Sequence, residues 1–107
     1  MSSAPKPQMA ADPVKVDPKH YNVEVENEQV RVLRVNYRAR EKSVMHSHPD
    51  NVAIFLNDAH CRFTFPDGKT EERRFRAGET LYSPAGSHLP ENLSGQAIDI
   101  ILVELKR

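Results

Sequence analysis

Two histidines stand one residue apart in the β-prone stretch Val44-Met45-His46-Ser47-His48-Pro49. In an extended strand, residues i and i+2 project from the same face, roughly 7 Å apart at Cα. His46 and His48 therefore point one way, with Val44 below them, while Met45 and Ser47 point the other. Neutral imidazole is the commonest protein ligand for zinc, iron, copper or nickel, so two rings from one strand supply half of a transition-metal site. The same pair also describes two half-exposed histidines at a strand end, and a His-x-His alone does not choose between them.

The elements around this pair read as strands. Tyr21, Val23 and Val25 alternate with Asn22, Glu24 and Glu26, the period-two pattern of a half-buried strand. After a turn at Asn27-Glu28, Val30, Val32 and Val35 mark a second strand, with Leu33 on its other face. Val52–Leu56 is a short apolar strand. His60–Phe65 places Cys61, Phe63 and Phe65 on one face and His60, Arg62 and Thr64 on the other. Pro66-Asp67-Gly68-Lys69 is a hairpin turn, from which Thr70–Phe75 returns. Thr80–Ser83 is another short strand, Pro84-Ala85-Gly86 a sharp corner leading to His88, and Ala97–Leu105 the most apolar strand. Eight or nine short strands with regular turn signals and no helical periodicity predict an all-β sandwich or barrel, with a double-sheet jelly roll suited to the size.

The totals narrow the possible functions. At 107 residues the chain holds one domain with one core. Fifteen basic and fifteen acidic residues cancel and are scattered, so no electrostatic footprint for nucleic acid or a membrane surface is present. No apolar run reaches membrane-spanning length, and the N-terminus lacks the pattern of an export signal. A single cysteine, Cys61, excludes an intramolecular disulfide and fits a reducing compartment. A cytoplasmic protein is the plain expectation, and a trimmed exported chain would read the same. Residues 1–18 carry half of the eight prolines, which predicts an extended or disordered arm ahead of a β-barrel domain over 19–107. The alternation of Val14 and Val16 would let the arm's end add an edge strand, within the chain or on a second copy.

The stretch from Gly78 to Asn92, with Pro84-Ala85-Gly86, His88 and Asn92 in order, resembles the second motif of the cupin superfamily, and His46-Ser47-His48 resembles its first. The resemblance spans Lys42–Asn92 and implies a cupin-type double-stranded β-helix. One residue, Ser87, separates Gly86 from the histidine where the family pattern has two. Val52 and Ala53 stand where the first motif carries a glutamate ligand, and Asp58-Ala59 where it carries a glycine. Carried over residue by residue, the resemblance implies His46, His48 and His88 as metal ligands. Asp50, which shares strand parity with the first two, is a candidate substitute for the missing carboxylate, although Pro49 leaves its direction open.

Three neutral nitrogens on one side of a divalent ion leave two or three positions open. Without a glutamate the ion keeps its full charge, which suits a bidentate anionic ligand. The resemblance thus points to a small metalloenzyme of dioxygenase type using Fe(II), with zinc, nickel or manganese as other occupants and isomerase or lyase chemistry as neighbouring possibilities. A non-catalytic module that binds an organic acid or a sugar, and a structural or regulatory dimer, remain open alternatives. The exposed edges of a small sandwich favour a homodimer. His20 and His60 read as surface or strand-face residues, Cys61 as a buried small side chain, and Tyr37, Phe55, Phe63 and Phe75 as core. Glu91, three residues from His88, reads as a solvated loop carboxylate with a possible acid-base role.

Overall fold

A computed structural model describes residues 10–106. One helical turn, α1 (Pro13–Val16), precedes nine strands: β1 (Tyr21–Glu26), β2 (Val30–Tyr37), β3 (His46–His48), β4 (Asn51–Phe55), β5 (Ala59–Thr64), β6 (Thr70–Phe75), β7 (Thr80–Ser83), β8 (Gly86–Asn92) and β9 (Ile98–Leu105). Every pairing is antiparallel. A five-stranded sheet in the order β1-β2-β9-β4-β7 faces a four-stranded sheet in the order β3-β8-β5-β6. This is the predicted all-β double-sheet barrel.

Alternation along each strand decides what the two sheets enclose. Leu33, Val35 and Tyr37 of β2, Ala53 and Phe55 of β4, and Ile98 and Leu102 of β9 are buried toward the opposing Ala59, Cys61 and Phe75. Leu33 and Ile98 are essentially inaccessible, each contributing about 1.5–3 kcal/mol of burial. Leu33, expected opposite the valines of its strand, instead shares the inner face with Val35, while Val30 and Val32 lie outside. Phe55 and Phe75 stack across the core with centroids 4.0 Å apart. The turn glycines Gly68 and Gly78 have φ of 87° and 85°, which a side chain would strain.

Two local expectations give way. Residues 13–16 form a helical turn instead of an edge strand. Asp12 caps it, accepting the Val14 amide at 3.0 Å, and Pro13 occupies its first position, where a missing N–H costs nothing. The preceding residues hold to the domain, with the Ser47 amide donating to the Ala11 carbonyl at 3.0 Å. The part of the predicted arm over residues 1–9 lies outside the described residues. The second difference is at β8, which begins at Gly86, the last residue of the expected corner, and runs to Asn92. Gly86 and Pro90 both argue against a strand in sequence, yet β8 runs between β3 and β5.

Candidate metal centre

The register of β3 on β8 builds the site. His46 lies directly opposite His88, and His48 opposite Gly86, so the histidine pair of one strand meets the third across a single ladder. Each ring offers one nitrogen, and the three nitrogens lie within 4.8 Å of one another. Ring centroids are 4.8, 5.0 and 5.2 Å apart, with all three pairs edge to face. His46 is fully buried and His48 nearly so. The one-residue shortening between Gly86 and His88 is absorbed by this pairing, which needs only that His88 face His46.

Hydrogen bonds on the far side of two rings set their tautomers. The Nδ1–H of His46 donates to the Val44 carbonyl at 2.8 Å and lies 3.2 Å from Ser43 Oγ. His48 Nδ1 donates to Glu104 Oε2 at 2.7 Å. With Nδ1 carrying the proton, Nε2 of both rings is left as a lone pair for the cluster. Val44 serves through its carbonyl; its side chain is exposed because β3 begins only at His46.

Burial pushes the pKa of His46 down to about 4, and the neighbouring His48 lowers it further. Burial likewise takes His88 down to about 3, with His48 and His46 adding to the effect. Both rings are therefore neutral at pH 7. The Nε2 atoms of His46 and His88 are buried with no hydrogen-bond partner. An unsatisfied buried polar atom costs roughly 1–3 kcal/mol, and two converging on one point match the donor set of a transition-metal ion. The residues present fit such an ion.

Glu104 escaped sequence analysis, although the signal was there. It continues the inward parity of Ile98, Ile100 and Leu102, an acid where the core face should run on. Only 2% exposed, it accepts from His48 and from Arg31 Nε at 2.8 Å. Burial alone would raise its pKa, but the hydrogen bonds from His48 and Arg31 win and hold it below the usual carboxylate range. Arg31 in turn grips Asp12 with two 2.9 Å bonds, tying the α1 cap to the back of the site.

His20 is corrected from a surface residue to a buried one, 4% exposed. Its Nδ1 contacts both Asp17 carboxylate oxygens at 2.8 and 2.9 Å, and its Nε2 lies 3.1 Å from Glu41. The ring stacks on Tyr37 with centroids 4.3 Å apart. Asp17 accepts the Ser43 hydroxyl, so a buried polar chain runs from Glu41 through His20, Asp17 and Ser43 to His46. The other residues singled out fall away from the cluster. Asp50 accepts the Ala85 amide at 2.8 Å. His60 faces Glu72 at 3.5 Å, and Glu91 lies 3.7 Å from Arg62, with which it is in register. Cys61 is buried, its thiol pushed up to about 11. Phe63, expected in the core, stacks against His88 at 5.4 Å.

A cavity of about 390 Å³ adjoins the histidines, between the sheets. Tyr21 stands at its inner end, edge-on to His46 at 4.8 Å, its hydroxyl 2.7 Å from that of Tyr37. The arrangement is an ion-sized nitrogen cluster opening onto a pocket of substrate dimensions.

No protein-family model matches the sequence, and no curated protein matches it. Solved structures do. A cupin domain from Bordetella pertussis superposes with a TM-score of 0.76 over 81% of this chain and 92% of its own, at 21% identity. The chain has the cupin fold. An RmlC-like cupin with a double-stranded β-helix fold from Methanocaldococcus jannaschii gives a TM-score of 0.63 at 21% identity, covering 84% of each chain. An oxalate decarboxylase variant from Bacillus subtilis gives 0.59 at 15% identity, over 75% of this chain and 22% of that one. No helix among the described residues is long and apolar enough to cross a membrane.

Proposed function

We propose that this cupin is a metal-dependent small-molecule enzyme of dioxygenase type, in which His46, His48 and His88 hold Fe(II) and the adjoining cavity holds the substrate. The observation that carries this reading is the pair of buried, unpartnered Nε2 atoms of His46 and His88, beside a third ring within ligand distance. Bound Fe(II) would supply Lewis acidity and a meeting place for O₂ and a chelating substrate. The chain's residues do the rest. Glu104 and the Val44 carbonyl fix the tautomers of His48 and His46, Phe63 walls one side of His88, and the two sheets exclude water. Among the described residues no carboxylate joins the nitrogen cluster, so positions on the ion would stay open to an anionic substrate. Oxygen uptake by anaerobically Fe(II)-loaded protein, dependent on a chelating acid and lost in His46→Ala, is the test. Tight binding of such acids without O₂ uptake would reject the enzyme.

That second outcome describes a binding module, and one observation favours it. The buried tyrosine hydroxyls beside the cluster, those of Tyr21 and Tyr37, are engaged with each other, and burial raises the pKa of both. Neither is poised as a general base at neutral pH.

We also infer a cytoplasmic homodimer. The free, buried Cys61 fits a reducing compartment. Support for the dimer comes from the outer face of the five-stranded sheet. Val25, Val32, Val103, Val52 and Tyr82 are successive register partners, an apolar row crossing all five strands. Ile54 and Ile101 pair beside it, and Val30 with Leu105. Five strands averaging about six residues present roughly 500 Å² of projected face, at the lower end of a modest dimer interface at ~500–800 Å² per partner.

A further inference from the structure

We propose that the ligand of the cavity is a bidentate acid bearing an apolar body, an aryl or branched-alkyl group, and not a sugar or a small polar dianion. The inference rests on the metal reading of the three histidines and adds the class of molecule that the rest of the pocket accepts.

Two features of the cavity carry it. First, beyond the histidine rings its walls are mainly hydrocarbon: Val35, Phe55, Phe63, Leu81, Ile100 and Leu102 line it from both sheets, alongside the hydroxyls of Ser83 and Ser87. Second, several polar side chains along it are already engaged in hydrogen bonds within the protein. The Tyr21 and Tyr37 hydroxyls hold each other at 2.7 Å. The Asn92 amide donates to the carbonyls of Arg38 and Gln96 at 3.0 and 2.7 Å, and its oxygen accepts the Ser94 amide. Asn51 donates to the Pro49 carbonyl at 2.9 Å. A polyhydroxylated ligand would bury hydroxyls against these walls without partners, at roughly a factor of ten in affinity each. A small dianion would leave the apolar volume unfilled. The charged lining groups stand at the rim: Glu71 is exposed, Arg73 lies 3.9 Å from it and over the Phe75 ring at 5.1 Å, and Glu91 turns to Arg62.

The head group follows from the cluster. Three nitrogen donors, with no carboxylate among them in the described residues, would leave an ion held there with open positions, which an α-hydroxy or α-oxo acid fills with two oxygens. Phe63, lying nearly parallel to the His88 ring at 20°, gives the ligand's body an apolar surface beside the head group.

The test uses three α-hydroxy acids with one chelating head and different bodies: lactate, mandelate and gluconate. Each is titrated calorimetrically into Co(II)-loaded full-length protein, with the visible Co(II) spectrum as an independent readout of metal and of head-group coordination. Mandelate is expected to bind at least tenfold tighter than lactate, with gluconate no tighter than lactate. In Leu81→Gln the mandelate preference should fall toward unity while Co(II) and lactate affinities hold, separating the apolar wall from the head-group site. Metal-loaded protein that binds lactate and mandelate alike, or prefers gluconate, overturns the ligand class and leaves the metal centre standing. Protein that takes up no Co(II) and binds none of the acids overturns both.

Discussion

Glu104→Gln removes one charge from behind the candidate metal centre and changes almost no volume. Glu104 is buried, with His48 on one oxygen at 2.7 Å and Arg31 on the other at 2.8 Å. An amide can accept from only one of them; its NH₂ group must then face the other donor. Loss of a hydrogen bond to a charged group costs about 1.5–3 kcal/mol. Part of this is recovered because Arg31 keeps its two bonds to Asp12, so a net loss of about 1–2 kcal/mol in metal-free stability is expected. For a domain of this size that lowers Tm by roughly 5–15 °C. The effect on metal is separate: His48 loses the carboxylate that fixes its tautomer and raises its basicity, worth about 10–100-fold in affinity. Competition for Zn(II) against a chromophoric chelator at pH 7 measures the second, and thermal unfolding with chelator present the first. Glu72→Gln, on the exposed outer strand, is the control. Zinc affinity within twofold of the parent would refute the role given to Glu104, whatever the stability did.

Acid should destabilise the metal-free protein from near pH 6.5 downward. The folded-state values of His46 and His88, about 4 and about 3, lie below the ordinary 6.5, so the unfolded chain binds more protons and stability falls as pH drops through that window. Each group contributes up to about 1.4 kcal/mol per pH unit. Glu104, also held low, adds in the same direction below about pH 4.5, and chemical denaturation from pH 8 to 4 would expose the slope; a flat profile would contradict the burial of the rings. Val103→Lys, at the middle of the apolar row, should convert a dimer to a folded monomer in sedimentation, and a parent that is already monomeric at 100 µM would dispose of the interface; that concentration is on the order of a weak dimer's requirement. Cys61, buried with its thiol pushed up to about 11, should resist a thiol reagent in the native state and react fully in denaturant. Rapid native labelling would contradict its placement.

The architecture was legible because its signals are local: period-two alternation marks β1, β2 and β5 within six to eight residues, and the hairpin turn at Pro66–Lys69 marks β6. What escaped detection depends on partners distant in sequence. β8 was obscured by Gly86 and Pro90, whose tolerance there comes from β3 and β5 on either side. His20 was misplaced because, although Asp17 is only three residues away, its other partner Glu41 comes from a loop 21 residues on and the Tyr37 ring it stacks against from β2. The histidines were found through the order of two motifs, but their fit as a cluster depends on a register of 42 residues' separation, His46 to His88. Glu104 is the instructive miss. An acid on the inward parity of the most apolar strand is a local signal of a buried partner, and the basic residue on the inward parity of β2, Arg31, was its counterpart. The helical turn at α1 was likewise announced by Asp12-Pro13, a cap followed by proline, inside a stretch whose composition suggested only an arm.

The central claim is that His46, His48 and His88 together hold a transition metal. It is tested most directly by metal analysis of the purified protein and of protein loaded anaerobically with Fe(II), Zn(II) or Ni(II), beside a His46→Ala/His88→Ala variant treated identically. The account predicts close to one metal ion per folded parent chain and none above background in the variant, with the variant's circular dichroism unchanged. A parent that takes up no metal under any loading condition, or a variant that takes up as much as the parent, would contradict it.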